Sequence, residues 1–181
     1  GAEGGDIKVV YNLGADEIDS KRLKKAFVIY QGSHGDEGVR NADVILPGTA
    51  YTEKSGTYLN TEGRVQRTQQ AIFGPGEARE DWTIFRALSE VIGKTLSFDD
   101  IVQLRAALIE DYPHFAILDR KPIAEWANTG TMAPLLNVGF TMAISDFYAT
   151  NPIARASETM KECRNAMSNP NHADRKSTRL N

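Results

Sequence analysis

Ala26-Phe27-Val28-Ile29-Tyr30-Gln31-Gly32-Ser33-His34-Gly35-Asp36-Glu37-Gly38 is an apolar run that breaks into a segment of glycines and acids. An apolar run this short, bounded by turn signals, reads as a buried strand. Similar runs lie on either side of it. Residues 7–13 (IKVVYNL) end at Gly14, and residues 42–46 (ADVIL) are stopped by Pro47-Gly48. Between the first two runs, Asp19-Ser20-Lys21-Arg22 is polar and reads as one or two helical turns. Buried strands separated by loops and polar turns predict a parallel sheet of βαβ type. The spacing leaves room only for short connecting helices. The expected fold class is therefore α/β, with a partial Rossmann-like parallel sheet.

Further along, residues 57–60 and 64–68 flank Thr61-Glu62-Gly63, which predicts a hairpin with Gly63 in the tight position. Gly74-Pro75-Gly76 breaks the chain. Over residues 77–92, Trp82, Phe85, Leu88 and Ile92 recur at helical spacing as one apolar stripe. Glu77, Glu80 and Asp81 suit the positive end of that helix, and Gly93 its close. Ser97, with Asp100 three residues on, predicts the cap of a second helix over 98–110 that buries Ile101, Leu104 and Leu108. Residues 114–141 lack periodicity and contain Pro122, Gly130, Pro134 and Gly139. They read as an irregular segment that wraps another surface. Asn151 and Pro152 open a last helix reaching Met167.

A chain of 181 residues that is 41% hydrophobic can bury one domain core with a small appendage. The net charge of -3 and the lack of any Lys/Arg block argue against nucleic acid as a partner. No apolar run reaches the roughly 20 residues that cross a bilayer, so direct membrane insertion is not expected. The one cysteine, Cys163, cannot form an internal disulfide, and an iron–sulfur cluster takes about four thiolates. It is either a reactive thiol or a small apolar residue on a helix. The chain begins with Gly1 rather than Met and reads as a fragment. Residues 168–181 read as a disordered tail, whose last part, Asp174-Arg175-Lys176-Ser177-Thr178-Arg179-Leu180-Asn181, resembles translated sequencing adapter.

Two constellations are candidates for chemistry. The loop after Tyr30 carries Gly32, Gly35 and Gly38, and loops at the C-terminal ends of parallel strands bind nucleotides in this architecture. Its G-x-x-G-x-x-G spacing is not that of a dinucleotide or P-loop motif, and Asp36 and Glu37 would repel phosphate. The other reading is a structural loop whose glycines adopt positive φ. His34 in that loop, His114 and His172 are the three histidines, and none forms a metal-spaced pair. In Glu53-Lys54-Ser55-Gly56-Thr57-Tyr58-Leu59-Asn60-Thr61-Glu62-Gly63-Arg64, Lys54 or Arg64 can hold an anion and Glu53 can serve as acid or base. The same groups can simply fix a turn by hydrogen bonds and ion pairs. No nucleophile–base–orienter set is visible. We expect no catalytic, cofactor-binding or metal residue.

Residues 42–66 (ADVILPGTAYTEKSGTYLNTEGRVQ) resemble the molybdopterin oxidoreductase superfamily, with its A-D-V-x-L-P run followed by E-K-x-G-T-x-x-N-x-E-x-R. Tyr30-Gln31-Gly32, His34-Gly35-Asp36, Ala78-Arg79-Glu80-Asp81-Trp82, Arg86-Ala87-Leu88-Ser89-Glu90, Asp146-Phe147-Tyr148 and Ile153–Met160 narrow the likeness. They resemble the family of large iron–sulfur subunits of NADH:quinone oxidoreductase, respiratory complex I, and the mitochondrial form most of all. The resemblance divides the chain into residues 1–96, the end of a molybdopterin-oxidoreductase-like domain, and 97–167, a helical and irregular region. In that family the 2Fe-2S and 4Fe-4S clusters lie in an N-terminal region not present here, and the mitochondrial subunit has lost the molybdenum cofactor. The resemblance implies a scaffold without a redox centre, on the matrix side of the mitochondrial inner membrane, among the other hydrophilic-arm subunits. The alternatives are a cofactor-binding piece of a molybdopterin enzyme such as a formate dehydrogenase, and an unrelated nucleotide-binding module.

Overall fold

The apolar runs pair side by side. In a computed structural model that describes residues 1–123 and 130–168, β1 (Val9–Leu13), β2 (Phe27–Gly32) and β3 (Val44–Pro47) form a parallel sheet in the order β1-β2-β3. Val10 lies opposite Val28, and Tyr30 opposite Ile45. The central strand carries the core: Val28, Tyr30 and Gln31 are all buried. The crossovers are short, as the spacing requires. Ser20–Leu23 is a 3-10 turn capped by Asp19, whose carboxylate accepts from Lys21 N at 3.0 Å. α1 (Glu37–Arg40) is a single turn. Asp43 fixes the entry of β3, since its Oδ2 accepts from Val28 N at 2.7 Å while its own N donates to Val28 O at 2.8 Å.

β4 (Gly56–Leu59) and β5 (Val65–Thr68) form the hairpin, with Leu59 opposite Val65. Asn60 Oδ1 accepts from Glu62 N at 3.0 Å and Arg64 N at 2.9 Å, which folds the turn around one side chain. Gly63 there has a φ of 80°, so the tight position does need glycine.

α2 (Asp81–Val91) starts later than the stripe suggests. Arg79 N donates to Pro47 O at 3.0 Å and Thr49 N to Arg79 O at 3.1 Å, so Arg79 is bound to the end of the sheet and cannot enter the helix. Trp82, Phe85 and Leu88 are half-buried, and Phe85 stacks on Tyr11 at 5.2 Å. Ile92 falls past the last turn and is 63% exposed, so it leaves the stripe. Gly93, at a φ of 71°, ends the helix as expected.

The cap of α3 (Ile101–Asp111) is Asp100, not Ser97. Asp100 Oδ1 accepts from Val102 N and Gln103 N, both at 2.8 Å, and Gln103 Oε1 accepts from Asp99 N at 2.8 Å. A carboxylate one residue before the apolar face outcompetes a hydroxyl three residues further back. Phe98 stays outside the helix and meets Trp82 edge-on at 6.4 Å.

Pro113–Ala116 is a 3-10 turn, after which Asp119 N donates to Val65 O at 2.8 Å, tying the start of the irregular segment to the hairpin. Residues 130–142 have no regular structure, and Met132, Leu135 and Phe140 are fully exposed. The single last helix expected from Asn151 is two, α4 (Pro152–Ala156) and α5 (Glu158–Ser168). Asn151 Oδ1 caps α4 by accepting from Ala154 N at 2.9 Å, and extended Ser157 (ψ 123°) makes the break. Cys163 is half-buried on α5. His172 and residues 174–181 lie outside the described residues.

Candidate functional site

The glycine loop leaves β2 at the C-terminal edge of the parallel sheet, where this architecture places its ligands. None of Gly32, Gly35 and Gly38 has a positive φ, so the backbone reason expected for them does not hold. The reason is space. A Cβ added at Gly32 or at Gly38 would run into the ring of Tyr30, which the loop folds over. The Tyr30 hydroxyl donates to His34 O at 3.2 Å, and Ser33 Oγ lies 2.9 Å from His34 Nδ1. Burial, with the nearby Asp16 carboxylate, pushes the Tyr30 phenol above its ordinary pKa and keeps it a donor.

A residue far along the chain closes this loop. Arg155 on α4 donates from Nε to Asp36 Oδ2 at 2.5 Å, from Nη2 to Asp16 Oδ2, and from Nη1 to Ala149 O at 3.2 Å. The Asp16 side chain is 0% exposed, and its Oδ1 has no hydrogen-bond partner. The bond from Arg155 holds the Asp36 carboxyl below the usual carboxylate range. The bonds to Asp16 and Asp36 raise the already high pKa of the guanidinium. Sequence reasoning did not pair these residues: Asp16 and Arg155 are 139 positions apart, and no local pattern reports such a contact.

A second network joins sheet, hairpin and α2. The Tyr11 hydroxyl donates to Gln31 Oε1, Gln31 Nε2 donates to Asp81 Oδ1 at 2.8 Å, and Lys54 Nζ pairs with Asp81 Oδ2. Glu80 beside it accepts from Trp82 Nε1 at 2.6 Å and Ser55 N at 3.3 Å. The other candidates of the hairpin are similarly engaged. Glu53 Oε2 accepts from Ala50 N at 2.9 Å, and Arg64 pairs with Glu62 at 3.5 Å and donates to Asp119 O at 3.3 Å. His114 lies apart from both networks, stacked on Phe115 at 4.4 Å.

Between the hairpin, α2 and α3 lies a cleft of about 370 Å³ with Tyr58, Trp82, Ile101, Leu104 and Leu108 on its walls. Half-buried Arg105 also lines it, and its Nε and Nη2 are buried without an acceptor. Arg105 lies between Leu104 and Ala106 on α3, and no local sequence pattern marks it for burial.

The parallel sheet and the hairpin lie in the part that defines the class: the chain belongs to the molybdopterin oxidoreductase family, whose model matches residues 1–91. Residues 120–163 match a second model, that of the C-terminal region of an NADH-ubiquinone oxidoreductase subunit. The chain is similar to the NADH-ubiquinone oxidoreductase 75 kDa subunit of Reclinomonas americana, at 48% identity over 85% of this chain and 23% of the relative. It is also similar to the mitochondrial 78 kDa subunits of Candida albicans and Neurospora crassa. These are 48% and 44% identical, each over 86% of this chain and over 23% and 22% of the relative. The chain thus spans about a quarter of the length of these relatives.

The glycine loop does not fit a phosphate of the family's molybdenum pterin cofactor. The Tyr30 ring fills the hollow under Gly32 and Gly38. The Arg155 guanidinium there is already bound by two carboxylates, and Arg40 on the following turn pairs with Glu37. An added phosphate would meet the partly exposed Asp36 carboxylate, whose charge repels it.

Proposed function

We propose that this chain is a structural part of the large iron–sulfur subunit of complex I. It supports electron transfer from NADH to ubiquinone and holds no redox centre, catalytic residue or metal of its own. The observation that carries the reading is the Arg155 clamp, which closes the sheet edge with the chain's own charges. Two further observations support it. The chain has one cysteine, and no group of three or more potential metal ligands clusters among the described residues. The clusters of the whole protein are held by other parts of it. Residues 1–96 form the family's sheet and hairpin, and residues 97–167 form the subunit's own helical and irregular region.

The partners are the other subunits of the hydrophilic arm. The apolar side chains of residues 130–142 provide surface for them, being exposed in the chain alone. No described helix is long and apolar enough to cross a membrane, and two of the relatives are named mitochondrial. The reading places the chain peripherally on the matrix side of the mitochondrial inner membrane, and the names of these two relatives support the mitochondrial part of it. The relatives do not favour the alternative of a formate dehydrogenase piece. Metal and pterin analysis of the purified native assembly tests the proposal. Iron without molybdenum or oxidised pterin is expected. Stoichiometric molybdenum would sink it.

A further inference from the structure

The hairpin–α3 cleft belongs to neither network of the closed site. Its walls are apolar, and its one unsatisfied group is a cation. The two unpartnered nitrogens of Arg105, Nε and Nη2, are adjacent donors on one edge of the guanidinium. That edge matches the two oxygens of a carboxylate in a bidentate pair. The carboxylates already in the cleft do not supply them. Both oxygens of Asp81 are taken by Gln31 and Lys54, and both of Glu80 by Ser55 and Trp82. No ion pair to Arg105 exists among the described residues. A guanidinium drawn from water without an acceptor is costly, so an isolated cleft of this kind is incomplete.

We infer that the cleft is a docking site for a peptide segment of another subunit, one that presents an Asp or Glu carboxylate to Arg105 beside an apolar side chain. The acid makes the fork-shaped pair, and the apolar neighbour fills the space between Trp82, Leu104 and Leu108. A separate subunit is favoured because the relatives of this chain are named as subunits of a larger enzyme. The inference rests on the proposed place of this chain in complex I.

The test uses the full polypeptide in its native assembly. Tyr58, 41% exposed at the cleft, is replaced by the photoreactive p-benzoylphenylalanine. Comigration of the variant with NADH dehydrogenase activity on native gels tests the placement in complex I independently of the cleft. Irradiation and peptide mapping should then give a cross-link to another subunit within about two residues of an Asp or Glu. Adding Arg105→Met should cut its yield at least about thirtyfold, the lower end for removing one member of a buried charge pair. Arg105→Glu combined with Arg at the mapped acid should restore it. A comigrating variant that cross-links only within its own polypeptide, or not at all, overturns the inference. So does a yield that Arg105→Met leaves unchanged.

Discussion

Replacing Arg155 by Met keeps most of the side-chain volume and removes the charge from between Asp16 and Asp36. Asp16 is fully enclosed, with 0% of its side chain exposed, against 21% for Asp36 and 27% for Arg155. Removing one partner of a buried ion pair costs about 3–5 kcal/mol because the other charge is left stranded. Since about a quarter of Arg155 sees water, the lower end, about 3 kcal/mol, is the expected loss. With a urea dependence of about 2 kcal/mol per molar, the midpoint should fall by about 1.5 M. The assay is urea unfolding of the 181-residue chain at pH 7, followed by far-UV circular dichroism. Adding Asp16→Asn to the Arg155→Met chain removes the stranded charge and should recover more than half of the loss. The pH dependence follows from the same contact. Arg155 holds folded Asp36 below its ordinary value of 3.8, so the unfolded chain takes up that proton first as pH falls. The stabilisation is complete above the unfolded value and disappears as acid passes the folded one. The gap between wild type and Arg155→Met should therefore narrow below about pH 4. A midpoint shift at pH 7 under about 0.3 M, the range of ordinary surface substitutions, would refute the clamp.

Gly38→Ala should cost about 1–3 kcal/mol, because the new methyl meets a buried ring with nowhere to go; thermal unfolding measures it. Asp100→Ala should lower stability by about 1 kcal/mol through loss of the α3 cap, while Ser97→Ala should stay within about 0.5 kcal/mol. Equal effects of the two in parallel urea titrations would return the cap to Ser97. Amides of residues 130–142 should exchange rapidly in the isolated chain and slowly in the assembled complex. Strong protection in the isolated chain would mean that this segment belongs to its own core.

The parallel sheet and the hairpin were legible because each rests on local signals. Residues 26–30 and 42–46 are apolar runs closed by glycine or proline, and Gly63 marks a turn by its freedom at positive φ. Helix ends were read less well where a distant partner competed. Arg79 looked helical from its neighbours, yet its backbone is held by Pro47 and Thr49 across the sheet end. The break at Ser157 carries no glycine or proline, so the sequence reads through it. The glycines of the loop after Tyr30 serve space rather than positive φ: they make room for the Tyr30 ring, and no spacing rule encodes a ring folding back on its own loop. Arg155, Asp16 and Arg105 were silent because their roles depend on tertiary neighbours, or on the lack of them.

The Arg155 contact also sets an order of events. Asp36 and Asp16 leave the ribosome 119 and 139 residues ahead of the cation that neutralises them. Until α4 arrives, a growing chain carries two carboxylates facing one small space, one of them destined for complete burial. The clamp forms only once residue 155 has been made. A polypeptide truncated before that point keeps two carboxylates at the sheet edge with no Arg155 guanidinium to neutralise them.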